Sequence, residues 1–131
     1  MATLTTKTTD GITVSVETFY QYDYSRPIEH KYIFAYRIYI KNNSDYTVQL
    51  MTRHWYVYDS NGIMREVEGE GVIGLVPILA PNESHEYISW SHLFTDMGKM
   101  HGYYTFVRQI DGEAFQVMIP EFHLVAPYKL N

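Results

Sequence analysis

Cysteine is absent from the 131 residues. That excludes a disulfide framework, a thiolate metal site and a cysteine nucleophile. Positive charge is scarce: ten Lys and Arg stand against fifteen Asp and Glu, for a net charge of −5. The basic residues are scattered, so the chain does not read as a binder of nucleic-acid phosphates. Long apolar runs are missing too, and none approaches the roughly 20 residues that span a bilayer; no membrane insertion is expected. The opening Met1-Ala2-Thr3-Leu4-Thr5-Thr6-Lys7 has no apolar h-region, so no secretory signal is expected and a cytoplasmic location is. Nowhere do apolar residues hold an i, i+3, i+4, i+7 pattern over ten residues, which removes the amphipathic helix from the expected elements.

What the chain has in excess is aromatic side chains, 16% of the residues with thirteen tyrosines. Aromatic and β-branched residues suit pleated, half-buried surfaces. The alternation bears this out. Residues 1–10 are polar and expected to be frayed. After the Asp10-Gly11 turn signal, Ile12, Val14, Val16, Thr18 and Tyr20 share one side of a strand. Tyr32 to Asn42 follows, with Tyr32, Phe34, Tyr36, Ile38 and Ile40 on the core face. Val48 to Asp59 is anchored by Leu50, Trp55 and Val57, and Asn61-Gly62 turns it into Ile63 to Glu68. Ser84 to Leu93, Met100 to Gln109 and Ala114 to Ile119 complete the set. Pro120 leaves Phe122 to Val125 as a bulged continuation or an edge. Seven or eight short strands in one domain, residues 11–131, predict an all-β sandwich, with a barrel as second choice.

In mid-chain lies the one glycine cluster, Gly69, Gly71 and Gly74, with G-x-G-x-x-G spacing. A dinucleotide fingerprint needs a strand before the first glycine and a helix opening at the last. Leu75-Val76-Pro77 is β-leaning and Pro77 would break a helix, so Rossmann-type binding has no physical basis here. Two readings stay open: a bulge or strand crossover, or a ligand site in which Gly69, Gly71, Gly74 and Arg65 hold an anion on backbone N–H groups. The apolar run that follows, Val72 to Leu79, is core if buried. If exposed, Val72, Ile73 and Leu75 form a partner surface.

Glu66, Glu68 and Glu70 alternate and share a face, where their mutual repulsion calls for a cation or an arginine; Arg53 and Arg65 are close in sequence. The reading is a charged edge strand, with a hard-cation site as the alternative. The six histidines show no H-x-H pair and no H-E-x-x-H, so no metal or cofactor is assigned. G-x-S-x-G does not occur, and Ser89, Ser91 and His92 are strand neighbours of mixed facing. No nucleophile has a base, and the chain does not read as an enzyme.

Several stretches together resemble the ApaG family: Tyr32-x-Phe34-Ala35-Tyr36-Arg37-Ile38, Gln49-Leu50-x-x-Arg53-His54-Trp55, Glu66-Val67-Glu68-Gly69-Glu70-Gly71-Val72-Ile73-Gly74, Gly98-x-Met100-x-Gly102-Tyr103-Tyr104, and Phe115 to Leu124. The resemblance covers about residues 10–128. It implies a fibronectin-III or immunoglobulin-like sandwich. It also implies a non-catalytic module for protein–protein interaction, indirectly associated with cobalt and magnesium efflux or resistance. The alternative it carries is a pyrophosphate or nucleotide binder at the Gly69–Gly74 loop, beside which the glutamate face keeps a divalent-cation binder open. Asn82 and Trp90 depart from the family pattern. Asn82 can supply the positive φ its turn needs, and Trp90 adds bulk to its strand. The protein partner is unidentified, and a homodimer through an unpaired edge strand is a further option.

Overall fold

The computed structural model describes residues 4–130. Nine strands form two antiparallel sheets: β1 Thr5–Thr9, β2 Ile12–Tyr20, β3 Tyr32–Asn42, β4 Val48–Asp59, β5 Met64–Glu70, β6 Ile78–Leu79, β7 Ser84–Leu93, β8 Met97–Arg108 and β9 Ala114–Val125. One sheet runs β1-β2-β3-β7 and the other β5-β4-β8-β9, with β6 also pairing β4. This is the expected β-sandwich. Strands β3, β4 and β7 begin and end at the expected residues. Among the described residues no helix is long and apolar enough to cross a membrane.

The core forms where the facing predicts. Ile12, Val14, Val16, Phe34, Tyr36, Ile38 and Ile40 are buried against Leu50, Trp55, Val57, Tyr104, Phe106 and Val117. Leu50 and Trp55 have opposite parity, yet both point inward. A bulge at Met51 makes this work: Leu50 faces Phe106 and Thr52 faces Thr105, so Met51 is the extra residue and the facing switches there. A second bulge lets β9 pass through Pro120, because Met100 pairs Phe122 while Gly102 pairs Ile119. Pro120 therefore interrupts nothing, and the bulged continuation is the correct alternative.

Thr5–Thr9 are not frayed: they pair in register with Ile12–Val16 across the Asp10-Gly11 turn. Two hydroxyl pairs support the hairpin, Thr8 with Thr13 and Thr6 with Ser15, each at 2.9 Å. A strand of threonines is polar on both faces and so gives no apolar alternation to read; β-branching alone carries it. The hairpin closes one side of the sandwich, where Met118 N donates to Thr9 Oγ1 at 3.2 Å. On the other side the edge strands are β5 and β7. Asp59, buried at the end of β4, accepts from Phe94 N, Thr95 N and Thr95 Oγ1 and so fixes the β7–β8 connection.

Candidate functional site

The glycine stretch is a small hairpin. Val72 N donates to Leu75 O at 2.8 Å and Leu75 N to Val72 O at 3.0 Å. The two residues between them, Ile73 at φ 48° and Gly74 at φ 74°, give the double positive φ of a type I′ turn. Gly71, at φ 59°, donates its N–H to the carbonyl of the bulge residue Met51 at 2.8 Å. A Cβ on Gly71 would sit 2.1 Å from Leu75 O, so the backbone needs glycine there. Three of the N–H groups that a nest would offer an anion are thus committed to the fold's own carbonyls. The apolar run splits accordingly. Val72 is 1% exposed and belongs to the core, so it is no part of a partner surface. Ile73 at 60%, Leu75 at 56% and Ile78 at 54% exposure stand out from the fold.

Gly69 has a different role. It is the cross-strand neighbour of Arg53, and a Cβ there would meet the guanidinium at 3.0 Å. The missing side chain lets Arg53 lie across β5 and donate from Nη1 to Glu70 O at 2.8 Å and Gly71 O at 3.0 Å. Arg53 shares the inward face of β4 with Trp55 and Val57, so its charge enters the open side between the sheets. It lines three hollows: one of about 360 Å³ with His54, Glu68 and Glu70, and two at the mouth of about 190 and 230 Å³, with Tyr36, Trp55 and Ser89 in both and Arg65, Trp90 and His92 in the first. Arg65 reaches across the mouth from β5 and donates from Nη2 to His92 O on β7 at 2.5 Å. Among the described residues, neither arginine has a carboxylate within ion-pair distance, whereas Arg26, Arg37 and Arg108 all do. A further hollow of about 360 Å³ lies beside Arg108, whose charge is already met by Asp111 and Glu113.

Three tyrosine hydroxyls form the floor. Tyr87 and Tyr104 share a hydrogen bond at 2.5 Å, and Tyr36 bonds the Ser89 side chain. Burial raises all three phenols above their ordinary range, and the Arg53 charge partly opposes that rise. They stay neutral donors and acceptors in the physiological range and supply no base.

Glu66 and Glu68 point away from this mouth, whereas Glu70 lines the second of its two hollows. Glu66 and Glu68 both lie against the His54 ring: Nε2 lies 2.9 Å from Glu66 Oε2 and Nδ1 lies 3.0 Å from Glu68 Oε2. The imidazole also stacks on Tyr103, with ring centroids 5.1 Å apart. Both ring nitrogens and both carboxylates are used inside this cluster. No group of three or more His, Cys, Asp or Glu side chains converges as a metal site among the described residues.

The family model described as DUF525, ApaG domain, matches residues 22–108. The chain belongs to the ApaG domain family. Protein ApaG of Sinorhizobium fredii is 44% identical over 119 residues, 91% of each chain. Protein ApaG of Azotobacter vinelandii is 44% identical over 120 residues, 92% of this chain and 94% of that one. A crystal structure of an ApaA protein from Bordetella pertussis superposes with a TM-score of 0.85 at 40% identity, covering 88% of this chain and 94% of that one.

In this ApaG domain the residues expected to form one ligand site separate. Gly69 seats Arg53, Gly71 and Gly74 shape the hairpin, and Arg65 ties β5 to β7. The reading by residue type missed Arg53, Tyr36 and Ser89 as partners of Arg65. The signal was the register: with Arg53 opposite Gly69, one arginine faces the one position of β5 that has no side chain.

Proposed function

We propose that this ApaG domain is a non-catalytic protein-binding module that docks its partner on the glycine hairpin and the adjoining mouth. Ile73 carries this reading. A β-branched residue at φ 48° is strained, and the first position of a type I′ turn favours Asn or Gly. An exposed isoleucine is disfavoured again by the apolar surface it shows to water. Two preferences are thus set aside at the tip of a hairpin whose base is pinned to Met51, and Leu75, Val76 and Ile78 extend the apolar surface. Strain retained at an exposed apolar tip fits a residue that is covered in a complex. The buried neutral tyrosines and the fully engaged His54 cluster give no acid, base or nucleophile for catalysis. Any link to cobalt or magnesium export would run through such a partner.

The test is a photo-crosslinking amino acid, p-benzoylphenylalanine, placed at Ile73 and, as control, at the exposed Ile110 in the β8–β9 turn. A discrete protein adduct from position 73 and not from 110 is expected. Absence of adducts, or the same adducts from both positions, overturns the reading. A second reading, a small anionic ligand, rests on Arg53 and Arg65 rather than on the hairpin's N–H groups. It predicts saturable pyrophosphate shifts at those two arginines.

A further inference from the structure

The open side of the sandwich combines two features that are rarely combined by chance: a free strand edge and charge without a counter-ion. Strand β7 ends its sheet, so one of its edges has no strand partner among the described residues. The register shows which groups point outward. Glu83 O accepts from Asn42 N, toward β3, while His92 O faces the mouth and accepts from Arg65. In an antiparallel pair the outward set repeats every second residue. Trp90, Ile88 and Glu86 therefore present their N–H and C=O groups along the same edge as His92. Just inside that edge stand the guanidinium groups of Arg53 and Arg65, which donate to carbonyls and, among the described residues, have no carboxylate within ion-pair distance, although Glu70 lines the hollow beside Arg53. Two of the five N–H donors of Arg53 are used on Glu70 O and Gly71 O. His92 Nε2 is buried without a hydrogen-bond partner among the described residues. On the outer face of the edge, Trp90 is 51% exposed, in edge contact with Tyr24, and Ile88 is exposed beside it.

The geometry points to an extended acidic peptide segment that adds to the β7 edge and places one carboxylate between Arg53 and Arg65. This deepens the protein-binding reading and rests on it. An added strand alternates its side chains as β7 does. A residue whose side chain enters the mouth has neighbours at ±1 that face outward, over Ile88 and Trp90. The segment recognised is therefore an Asp or Glu with an apolar residue on either side. A peptide N–H takes over the His92 carbonyl, and the Arg65 guanidinium it displaces turns to the carboxylate. Carbonyl bonds are exchanged for a charge-assisted pair, and no polar group is left unmet. Main-chain pairing supplies affinity and the arginine pair supplies selection for acid.

A phage-displayed library of random seven-residue peptides, panned against the whole chain, tests this. The expected enrichment is one acidic position flanked by apolar residues. The enriched peptide, titrated with fluorescence from the exposed Trp90 as readout, should lose at least tenfold in affinity when its acid is changed to the amide. Arg65→Gln should cause a comparable loss. Ile88→Pro removes only an outward N–H of an edge strand, so the fold persists, checked by circular dichroism, and binding should be abolished. The inference is overturned if no peptide is enriched or if the enriched peptides lack an acid. It is equally overturned if both variants bind as the parent does, or if inorganic phosphate at millimolar concentration displaces the peptide in full, which would give the arginines to a small anion. A parent dimer that Ile88→Pro converts to monomer would assign the edge to a second copy and overturn it too. Adducts at position 73 alongside any of these failures leave the protein-binding reading standing without the acidic segment.

Discussion

The guanidinium of Arg53 lies against Gly69, the residue opposite it on the neighbouring strand, at a distance a single methyl group would close. Adding that methyl is the mildest way to disturb the mouth. Gly69→Ala brings a Cβ to 3.0 Å from Nη1 and Nη2, and a long side chain can yield. The expected cost is about 1–2 kcal/mol, the scale of hydrogen bonds from a charged group to Glu70 O and Gly71 O. Urea denaturation of the variant checks the magnitude, and an unchanged midpoint would show that Arg53 finds equal partners elsewhere.

Gly71 and Gly74 should separate sharply. At Gly71 a Cβ meets the backbone oxygen of Leu75 at 2.1 Å, which cannot move without opening the hairpin. At Gly74 the space is empty and only the positive φ is disfavoured. Gly74→Ala should cost about 1 kcal/mol and Gly71→Ala roughly 3 kcal/mol or more, on the scale of a buried steric clash. Thermal melts of the two variants side by side give the comparison.

Ile73→Asn should raise stability by about 1 kcal/mol, since Asn tolerates the left-handed region and exposes no apolar surface. The same change should weaken crosslinking from a neighbouring position such as Leu75. A variant that gains stability while losing partner contact is the signature of a residue kept for docking.

Asp59 predicts a loss without compensation. Its Oδ1 is the shared acceptor for Phe94 N, Thr95 N and Thr95 Oγ1. Asp59→Ala leaves the N–H groups of Phe94 and Thr95 unmet at a part-buried site, while Thr95 Oγ1 keeps Met97 O as acceptor, and should cost about 2 kcal/mol. Hydrogen exchange should show the β7–β8 connection opening first.

Alkaline pH should destabilise the fold through the tyrosine floor. Burial raises the phenols of Tyr36, Tyr87 and Tyr104 in the folded state, so the folded protein holds these protons more tightly than the unfolded chain. Their contribution is fully present below about pH 10, where unfolded tyrosine titrates. It falls as pH rises above that, by up to about 1.4 kcal/mol per pH unit for each tyrosine. Denaturant titrations from pH 8 to 11.5 should show a plateau and then a decline, and Tyr104→Phe should make the decline shallower.

Most of the fold was legible because sheet facing is a local, period-two signal: Tyr32–Asn42, Val48–Asp59 and Ser84–Leu93 emerge from alternation and turn residues alone. Thr5–Thr9 did not, because threonine on both faces leaves no alternation. The site was harder for a related reason. Sequence adjacency grouped Arg65 with Gly69, Gly71 and Gly74, whereas cross-strand register groups Arg53 with Gly69, and the packing of the two sheets brings Arg65 to His92. Burial of Val72 beside exposed Ile73 follows from the positive φ at residues 71, 73 and 74, which breaks the alternation that would have assigned their faces. His54 as the partner of Glu66 and Glu68 likewise needs the register, since twelve residues separate His54 from Glu66.

The bond from Met118 to Thr9 joins residues 109 positions apart. During synthesis the first hairpin cannot be matched with β9 until that whole length has been translated, roughly 5–20 s at ordinary elongation rates. Through that interval the β1–β2 hairpin stays without the packing it makes against β9.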